Sequence, residues 1–522
     1  MPRHAERLAT SLEQLKALQR QGVVAVRTRQ ISRVHRERLV HNGFLREVFK
    51  GWYIPTRPEE TPGESTAWYA AYWPFAAQYL EHRFGERWCL GAEQSLLLHV
   101  GERSPPPQLL VRAATGSNKP TPWPHGTSVY DSRLALPEAS QRTRLDGLRV
   151  YTLSAALVHC PRAMFLDKPT AMRAALAMLP DATDLVRHVL DDGKSAAAGW
   201  LAGAFRSIGR AEIAERIRNA GRSAGFTVRE ENPFAAPFPL QFAGRPVSPY
   251  VSRLQLQWQA LRTQVLEHFP APLARPDKAS YLQAVQDAYR ADAYHSLSIE
   301  GYQVSDALIE RVRTGDWNPE RNEEDRHNRN ALAARGYWQA FQRVSASVER
   351  VLEGANAGEI AARDHQSWYQ QLFGPAVAAG ILKPGDLAGY RNGPVYIRRS
   401  LHVPPPHEAV RDLLPEFFAL LGAEPEPAVR VVLGHFFFVY AHPYFDGNGR
   451  MGRFLMNLMV ASGGWRWTLV TVQTREAYMA ALERASVHQD IVPFTRYLAE
   501  RLEESAYGIL VPVHTTGESD RA

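Results

Sequence analysis

The spacing of apolar residues predicts a helical C-terminal half behind a more mixed N-terminal part. Apolar side chains recur at helical intervals in two segments: Leu282, Val285, Ala288 and Tyr289, and then Phe454, Leu455, Leu458 and Met459. This period predicts helices that turn one face to a core. The first helix is expected over residues 280–301, because Gly301 suits the left-handed residue that ends many helices.

The N-terminal residues predict two helices followed by a hairpin. Leucines at helical spacing mark the first helix, which Gly22 ends: Leu8, Leu12, Leu15 and Leu18. Thr28 is expected to cap a second helix that ends at Asn42–Gly43 and carries these apolar positions: Ile31, Val34, Leu39 and Val40. Residues 44–54 alternate in polarity, which predicts a hairpin with Lys50–Gly51 as its turn. Residues 1–60 therefore predict a winged helix-turn-helix.

The rest of the chain predicts a multidomain protein. Residues 61–230 read as a mixed α/β domain, with strands at 108–112 and 148–152 and helices at 171–178 and 211–220. Proline and aromatic residues in 231–269 predict a linker and a connecting helix. Residues 270–505 are expected to form an all-α domain, and 506–522 a flexible tail.

Composition narrows the class of protein. Among 522 residues only Cys89 and Cys160 are cysteines, and they stand far apart, which argues against a disulfide framework. The first residues carry no apolar signal region, and no long uncharged apolar span follows. We therefore expect a cytoplasmic protein without a membrane partner.

Positive charge is concentrated at the N-terminus. Residues 1–58 contain twelve basic and four acidic residues, an excess of +8, whereas the whole chain carries +7. Arg29, Arg33 and Arg36 would share one face of the second helix, away from its apolar positions. This face predicts contacts with DNA, although a basic helix face is commonly only solvated surface.

Residues 442–453 gather the chemistry of a nucleotide site into one loop and the start of a helix. His442 titrates near neutrality and is the natural general base for a hydroxyl nucleophile. Asp446 offers hard oxygen ligands that suit Mg²⁺. Gly447, Asn448 and Gly449 would place free N–H groups at a helix N-terminus, where they can bind phosphate. Two arginines three residues apart can clamp further phosphates: Arg450 and Arg453.

Two other sites fit this stretch poorly. A calcium loop counted from Asp446 would need Gly at position six and Glu at position twelve, where Met451 and Asn457 stand. A Walker loop would need Lys-Ser or Lys-Thr after a pair of glycines at the right spacing, and the sequence contains no such arrangement.

Read as His-Pro-Tyr-Phe-Asp-Gly-Asn-Gly-Arg-Met-Gly-Arg, residues 442–453 resemble the signature of the Fic family, with Tyr444 in place of the usual Phe. The similarity extends over about residues 270–505. It implies transfer of AMP from ATP to a hydroxyl side chain of a protein, with Mg²⁺ as cofactor. It also implies that residues 391–406 form a β-hairpin flap that docks the target, with Val395, Tyr396 and Ile397 as a strand. Gly449 stands where a phosphotransferase branch of the family has Lys, which disfavours that branch.

The Fic resemblance assigns roles by position. His442 would deprotonate the target, Asp446 would hold Mg²⁺, and Arg453 would bind the γ-phosphate. Residues 296–301, Ser-Leu-Ser-Ile-Glu-Gly, resemble the inhibitory motif of the family. By that resemblance Ser296 belongs to the inhibitory helix, and Glu300 would occupy the γ-phosphate site by pairing with Arg453. Without the resemblance, Glu300 reads equally well as a surface residue before a helix-ending glycine.

A second resemblance concerns the N-terminal part. Residues 42–45, Asn-Gly-Phe-Leu, and residues 51–53, Gly-Trp-Tyr, resemble the winged-helix head of type IV abortive-infection antitoxins. Residues 61–230 would then form an antitoxin-like α/β domain.

Three functions follow from these patterns. The first is an auto-inhibited protein adenylyltransferase, able to modify other proteins or itself, with a DNA-binding head. The second is removal of AMP from a modified protein at the same site. The third is a DNA-binding antitoxin or transcription regulator whose Fic domain senses nucleotide. The expected partners are ATP, a protein bearing a Ser, Thr or Tyr hydroxyl, and DNA, while a homodimer is left open.

Overall fold

The computed structural model describes residues 4–56, 58, 66–235, 248–274, 277–315 and 328–506. The chain divides into two compact units. The first comprises Met1–Leu256 with Tyr396–Val403, and the second comprises Gln257–Val395 with Pro404–Ala522. The predicted flexible tail lies outside the described residues, apart from Ala506.

The N-terminal part of the first unit contains the two predicted helices and the predicted hairpin, with an additional short strand between the helices: α1 (His4–Arg20), β1 (Val26–Arg27), α2 (Arg33–His41), β2 (Leu45–Phe49) and β3 (Trp52–Pro55). The three strands form an antiparallel sheet in the order β1-β3-β2. Gly51 has a φ of +77°, so the predicted turn of the hairpin is confirmed. A small core joins the helices to the sheet: Leu15, Val26, Ile31, Leu39 and Leu45.

The second helix begins later than predicted. The prediction that Thr28 caps it was wrong, since the cap is Ser32, whose side chain accepts a hydrogen bond from the His35 backbone N–H. The Thr28 hydroxyl instead donates to the Gly51 carbonyl, which ties the chain before α2 to the hairpin turn. Val34 and Val40, predicted as core positions, are exposed.

The remainder of the first unit is a mixed α/β structure, as predicted. Strands β4, β5, β7 and β6 form one sheet in that order, with β5 and β7 parallel, and β8 pairs with β9 as a hairpin. The strands are β4 (Trp88–Leu90), β5 (Gln108–Ala113), β6 (Pro120–Pro122), β7 (Ser128–Ser132), β8 (Arg142–Leu145) and β9 (Leu148–Tyr151). The helices are α3 (Thr66–Phe84), α4 (Ala92–His99), α5 (Leu153–His159), α6 (Met164–Asp167), α7 (Pro169–Met178), α8 (Thr183–Asp191), α9 (Ser195–Ser207) and α10 (Ala211–Ser223).

The N-terminal sheet shares a core with helix α3. Ala25, Trp52 and Ile54 belong to the same buried cluster as Trp68 and Phe75 of that helix. The rings of Trp52 and Phe75 meet edge to face with centroids 5.7 Å apart. The hairpin therefore packs on α3, while α1 and α2 pack on the other small core described above.

The second unit is helical. Its helices are α11 (Pro249–His268, which begins in the first unit), α12 (Lys278–Ile299), α13 (Asp306–Thr314), α14 (Arg329–Leu352), α15 (Ala357–Ala378), α16 (His407–Ala423), α17 (Pro427–Ala441), α18 (Asn448–Ser462), α19 (Arg475–His488) and α20 (Val492–Ala506). Helix α18 is the central element, since α12, α14, α15 and α17 all pack against it. Its side chains are buried on every face, as expected for a helix enclosed by others.

The predicted β-hairpin over residues 391–406 is not formed. Val395, Tyr396 and Ile397 follow an irregular path, and the segment reverses through a turn at Arg398–Arg399. Arg399 has a φ of +58°, and the Ser400 N–H donates to the Ile397 carbonyl over 3.3 Å. Proline at 394 and at 404–406 removes backbone donors on both sides of the turn, which prevents a regular ladder.

None of the helices in the described ranges is long and apolar enough to cross a membrane.

Candidate active site

The site is built on the loop between α17 and α18, and His442 opens it. His442 terminates α17 in the left-handed conformation, with φ +49° and ψ +58°. A non-glycine residue rarely adopts this conformation unless its surroundings require it. Here the Arg391 guanidinium holds the backbone, because its Nε donates to the His442 carbonyl over 2.7 Å.

The imidazole of His442 is held as a neutral base. Its Nδ1 lies 3.2 Å from the Val439 carbonyl. A carbonyl can only accept, so Nδ1 carries the proton and Nε2 keeps its lone pair. Burial lowers the pKa of His442 to about 4, and the positive charge of Arg391 acts in the same direction. The hydrogen bond to Val439 opposes this shift without reversing it.

The start of α18 presents the predicted anion-binding backbone. Gly447 is its N-cap with a φ of +83°, and a Cβ there would lie 2.7 Å from a ring carbon of Phe373. Asn448 braces the loop, since its side-chain oxygen accepts from the Tyr444 N–H and its amide donates to the Tyr444 carbonyl. Its side chain is thus used within the loop, and its contribution to an anion would come from the backbone N–H.

Asp446 meets the requirements of a magnesium ligand. Its Oδ1 accepts from the Gly447 N–H over 2.6 Å and from Arg450 over 3.2 Å. The side chain is 56% exposed, and Oδ2 accepts no hydrogen bond from any described residue. Within the described ranges, no three His, Cys, Asp or Glu side chains are grouped to hold a metal ion. Mg²⁺ at this place would take its other ligands from phosphates and water, as it commonly does.

Arg450 is enclosed by two aromatic rings. Its guanidinium carbon lies 5.2 Å from the ring centre of Tyr302 and 5.0 Å from that of Phe373. Such cation–π contacts fix the direction of the guanidinium beside Asp446. Tyr302 follows the end of α12 and was not predicted as a site residue. The sequence offered no signal for it, because the contact joins residues far apart in the chain.

Arg453 is bound by two residues of the predicted inhibitory motif, Ser296 and Glu300. Its Nε donates to the Ser296 hydroxyl over 2.8 Å, and its Nη2 donates to the Ser296 carbonyl over 3.0 Å and to Glu300 Oε1 over 2.7 Å. The Arg453 side chain is 3% exposed and that of Glu300 is 27% exposed. Burial alone would lower the pKa of Arg453, but the Glu300 carboxylate holds it above its ordinary value.

Glu300 reaches this position from the end of α12. The helix spans Lys278–Ile299 and not 280–301, with Glu300 as its C-cap and Gly301 in the left-handed conformation at φ +87°. The Tyr302 N–H donates to the Leu297 carbonyl, which closes the helix end. A Cβ added to Gly449 would clash with Glu300 Oε1. The carboxylate therefore lies directly against the glycine predicted to bind phosphate.

Arg391 is a second residue that the sequence did not point to. It is buried, and besides His442 its guanidinium donates to the carbonyls of Gly393, Pro405 and Ala441. It thereby satisfies carbonyls at the end of α17 that the helix itself leaves open. Arg391 sets the direction in which the chain leaves α17 and so positions His442.

The part of the chain that carries this site is similar in sequence to known proteins. Residues 360–460 match the sequence model of the Fic/DOC family. The chain is similar to proteins called protein adenylyltransferase Fic from Nematostella vectensis (28% identity over 43% of this chain and 49% of that protein) and from Drosophila grimshawi (28%, 44% and 44%). It thus spans less than half the length of these curated relatives.

Two solved structures are also similar to the chain. Fic-1 from C. elegans shares 19% identity over 67% of this chain and 93% of that chain, with a TM-score of 0.36. A Fic domain containing signaling protein from Bacteroides thetaiotaomicron shares 15% identity over 50% and 95%, with a TM-score of 0.35. The resemblance inferred from the motif at residues 442–453 is supported by the sequence comparisons. The part of the chain that carries His442, Asp446 and Arg453 is similar to the Fic/DOC family.

Proposed function

We propose that the protein is an adenylyltransferase that moves AMP from ATP to a hydroxyl side chain of a protein. One observation carries the proposal: a neutral imidazole with a free Nε2, that of His442, directly precedes a helix N-terminus with glycines at 447 and 449 and arginines at 450 and 453. A base next to an anion site is the arrangement that nucleotide transfer to a hydroxyl needs.

The transfer would proceed in line at the α-phosphorus. Nε2 of His442 removes the proton from the target hydroxyl, whose oxygen forms a bond to the α-phosphorus. The bond between the α-phosphorus and the oxygen bridging to the β-phosphate breaks, and pyrophosphate leaves. Backbone N–H groups of α18, with Arg450 and Arg453, stabilise the charge on the phosphates. Mg²⁺ held by Asp446 would neutralise charge between the α- and β-phosphates.

Position-specific labelling tests this reaction. The protein is incubated with ATP labelled in the α-phosphate and, separately, in the γ-phosphate, and incorporation into protein is measured. We expect incorporation from the α-label only, because pyrophosphate is the leaving group. Incorporation of the γ-label would show phosphate transfer and would contradict the proposal.

The pH at which kcat/KM falls on the acid side should lie well below the ordinary pKa range of histidine. Because the pKa of His442 is lowered to about 4, the imidazole stays neutral and able to accept a proton down to that pH. A plot of kcat/KM against pH reports groups of the free enzyme. We expect it to show no loss from His442 between about pH 8 and about pH 5. A limb at the ordinary pKa of 6.5 would mean that the imidazole is not buried as described.

We further propose that Glu300 restrains the transfer. Its carboxylate occupies Arg453 and lies against Gly449, two groups predicted to bind phosphate. A negatively charged γ-phosphate cannot share these donors with a carboxylate, because like charges repel at this distance. ATP would then bind weakly or with its α-phosphorus out of line.

Removal of AMP from a modified protein is a second candidate, and the position of Glu300 favours it too. A carboxylate beside the anion site can orient a water molecule toward a bound phosphate ester. AMP-modified protein should then lose its label in the presence of Glu300 and keep it in Glu300→Gln. Equal loss in both proteins would rule out this role.

We propose that the N-terminal head, predicted over residues 1–60 and described by the structure at 4–56 and 58, is a winged helix-turn-helix that binds DNA. The order of two helices and a hairpin supports this, as does the 81% exposure of the Arg33 side chain on α2. Arg29 is in the turn before α2, so the prediction that it shares a helical face with Arg33 and Arg36 was wrong. Arg36 is partly engaged, since it donates to the Thr28 carbonyl.

Substitution of Arg29 and Arg33 by Gln should lower the affinity for DNA and make that affinity less dependent on salt concentration. The slope of log K against log salt falls by about 0.9 for each phosphate that the protein no longer neutralises, so the double variant should reduce it by up to about 1.8. Point variants are preferred to deletion, because Trp52 and Ile54 belong to a core shared with α3. Arg187→Gln with Arg216→Gln removes the same charge from α8 and α10 and serves as control. An unchanged slope would place any DNA contact elsewhere.

A further inference from the structure

A cleft in the α/β part of the first unit is lined by four arginines. It lies between the β8–β9 hairpin, the turn at Ala139–Gln141 and the turn that follows α3, and has a volume of about 440 Å³. The arginines are Arg87, Arg142, Arg144 and Arg149, and Leu136 and Ala139 add an apolar side. The cleft is thus large enough for a nucleotide-sized ligand.

The hairpin holds like charges opposite each other. Arg144 on β8 is the cross-strand partner of Arg149 on β9. Two like charges in this position destabilise a sheet. Glu81 and Glu86 offset part of the repulsion, since Arg149 lies 3.0 Å from both carboxylates and Arg144 lies 3.7 and 3.5 Å from them. Four arginines thus face two carboxylates.

The other two arginines have no acidic partner among the described residues. Within the part of the chain that the structure describes, neither Arg87 nor Arg142 forms an ion pair or a side-chain hydrogen bond. The Nε of Arg142 is buried and has no acceptor. A buried donor without an acceptor costs free energy, and an acceptor bound in the cleft would remove that cost.

We propose that this cleft binds the phosphate group of a small phosphate ester of nucleotide size. Guanidinium groups match phosphate oxygens with paired hydrogen bonds, and Arg142 and Arg87 have donors free for them. Glu86 does not block the cleft, because its side chain is 80% exposed and can turn away. Leu136 and Ala139 would contact the organic part of the ligand. The Arg142 Nε is recessed from the surface, which suits a ligand that enters the cleft better than the backbone of a duplex. This site is independent of the proposed transfer reaction.

Calorimetric titration of the full chain tests the proposal, with AMP and inorganic phosphate as probes and without magnesium. AMP can also bind at the candidate active site, so each titration is repeated in Arg450→Ala, which removes an arginine predicted to bind phosphate there; Arg453 is predicted to bind the γ-phosphate, which AMP lacks. In that background Arg87→Gln with Arg142→Gln should weaken AMP binding at least about tenfold, because two charge-assisted hydrogen bonds are removed. Arg87→Gln alone, at an exposed residue, should weaken it by less. The control is again Arg187→Gln with Arg216→Gln, which should bind AMP like the parent.

Each result of these titrations either supports or contradicts a phosphate site in the cleft. Weaker binding of AMP in the cleft variants alone supports it, and weaker binding of inorganic phosphate locates the contact at the phosphate group. AMP affinity that is equal in cleft and control variants overturns it. Duplex DNA is titrated in parallel. If the cleft variants weaken DNA binding and leave AMP binding unchanged, the cleft contacts a polymer, and the proposal of a small ligand is wrong.

Discussion

Replacement of His442 by alanine is expected to lower AMP transfer by about 10²–10⁴-fold, because a general base contributes on this scale. Among the described residues, the side chain makes one hydrogen bond, to the Val439 carbonyl, whereas the backbone carbonyl that Arg391 holds remains in the variant. The fold should therefore persist. Single-turnover transfer from α-labelled ATP measures the effect, and thermal unfolding checks the fold.

A matched control variant shows whether the loss of transfer is specific to the imidazole of His442. His488 is the last residue of α19, and its substitution by alanine removes an imidazole away from the site. That variant should transfer AMP at the rate of the unmodified protein. If His442→Ala keeps the same rate as His488→Ala, then His442 is not the base.

Glu300→Gly is expected to raise AMP transfer by about 10²-fold, since a misplacement of about 1 Å in the reacting groups can cost that much. The variant frees Arg453 and opens the space against Gly449. Self-modification should show the rise most directly. The free energy of unfolding should fall in this variant, because buried Arg453 loses its carboxylate partner. Added ATP should reverse part of the decrease in unfolding temperature, because its phosphate binds to the Arg453 guanidinium.

Two further variants show whether Arg453 is the shared contact. Glu300→Gly with Arg453→Ala should not reach the activity of Glu300→Gly alone, because the phosphate ligand is also gone. If it does, the competition between carboxylate and γ-phosphate is the wrong account.

Glu353 ends α14 with the same Glu-Gly sequence, so Glu353→Gly tests the effect of a changed helix cap. A similar rise in AMP transfer in Glu353→Gly would mean that the restraint on transfer is not specific to Glu300.

Local sequence was sufficient for the elements whose conformation depends on near neighbours. The hairpin turn at Gly51 and the start of α18 at Gly447 both lie where the sequence predicted them. Each requires positive φ, which glycine adopts without steric cost. The hairpin over residues 391–406 failed as a prediction, because a strand also needs backbone donors opposite it, and the prolines remove several.

The order of residues 442–453 alone identified a base, a carboxylate and an anion-binding helix start, because these groups are neighbours in the chain. Only the tertiary structure decided how they are held. Arg453 meets Glu300 across 153 residues, and Arg391 meets the His442 carbonyl across 51 residues. The arginine cleft likewise joins residues from a helix-ending turn and a hairpin. The contacts of Arg453 and Arg391 depend on how α12, α17 and α18 pack, and the cleft depends on how α3 packs against the β8–β9 hairpin. Packing is set by the whole core, so no short stretch of sequence specifies it.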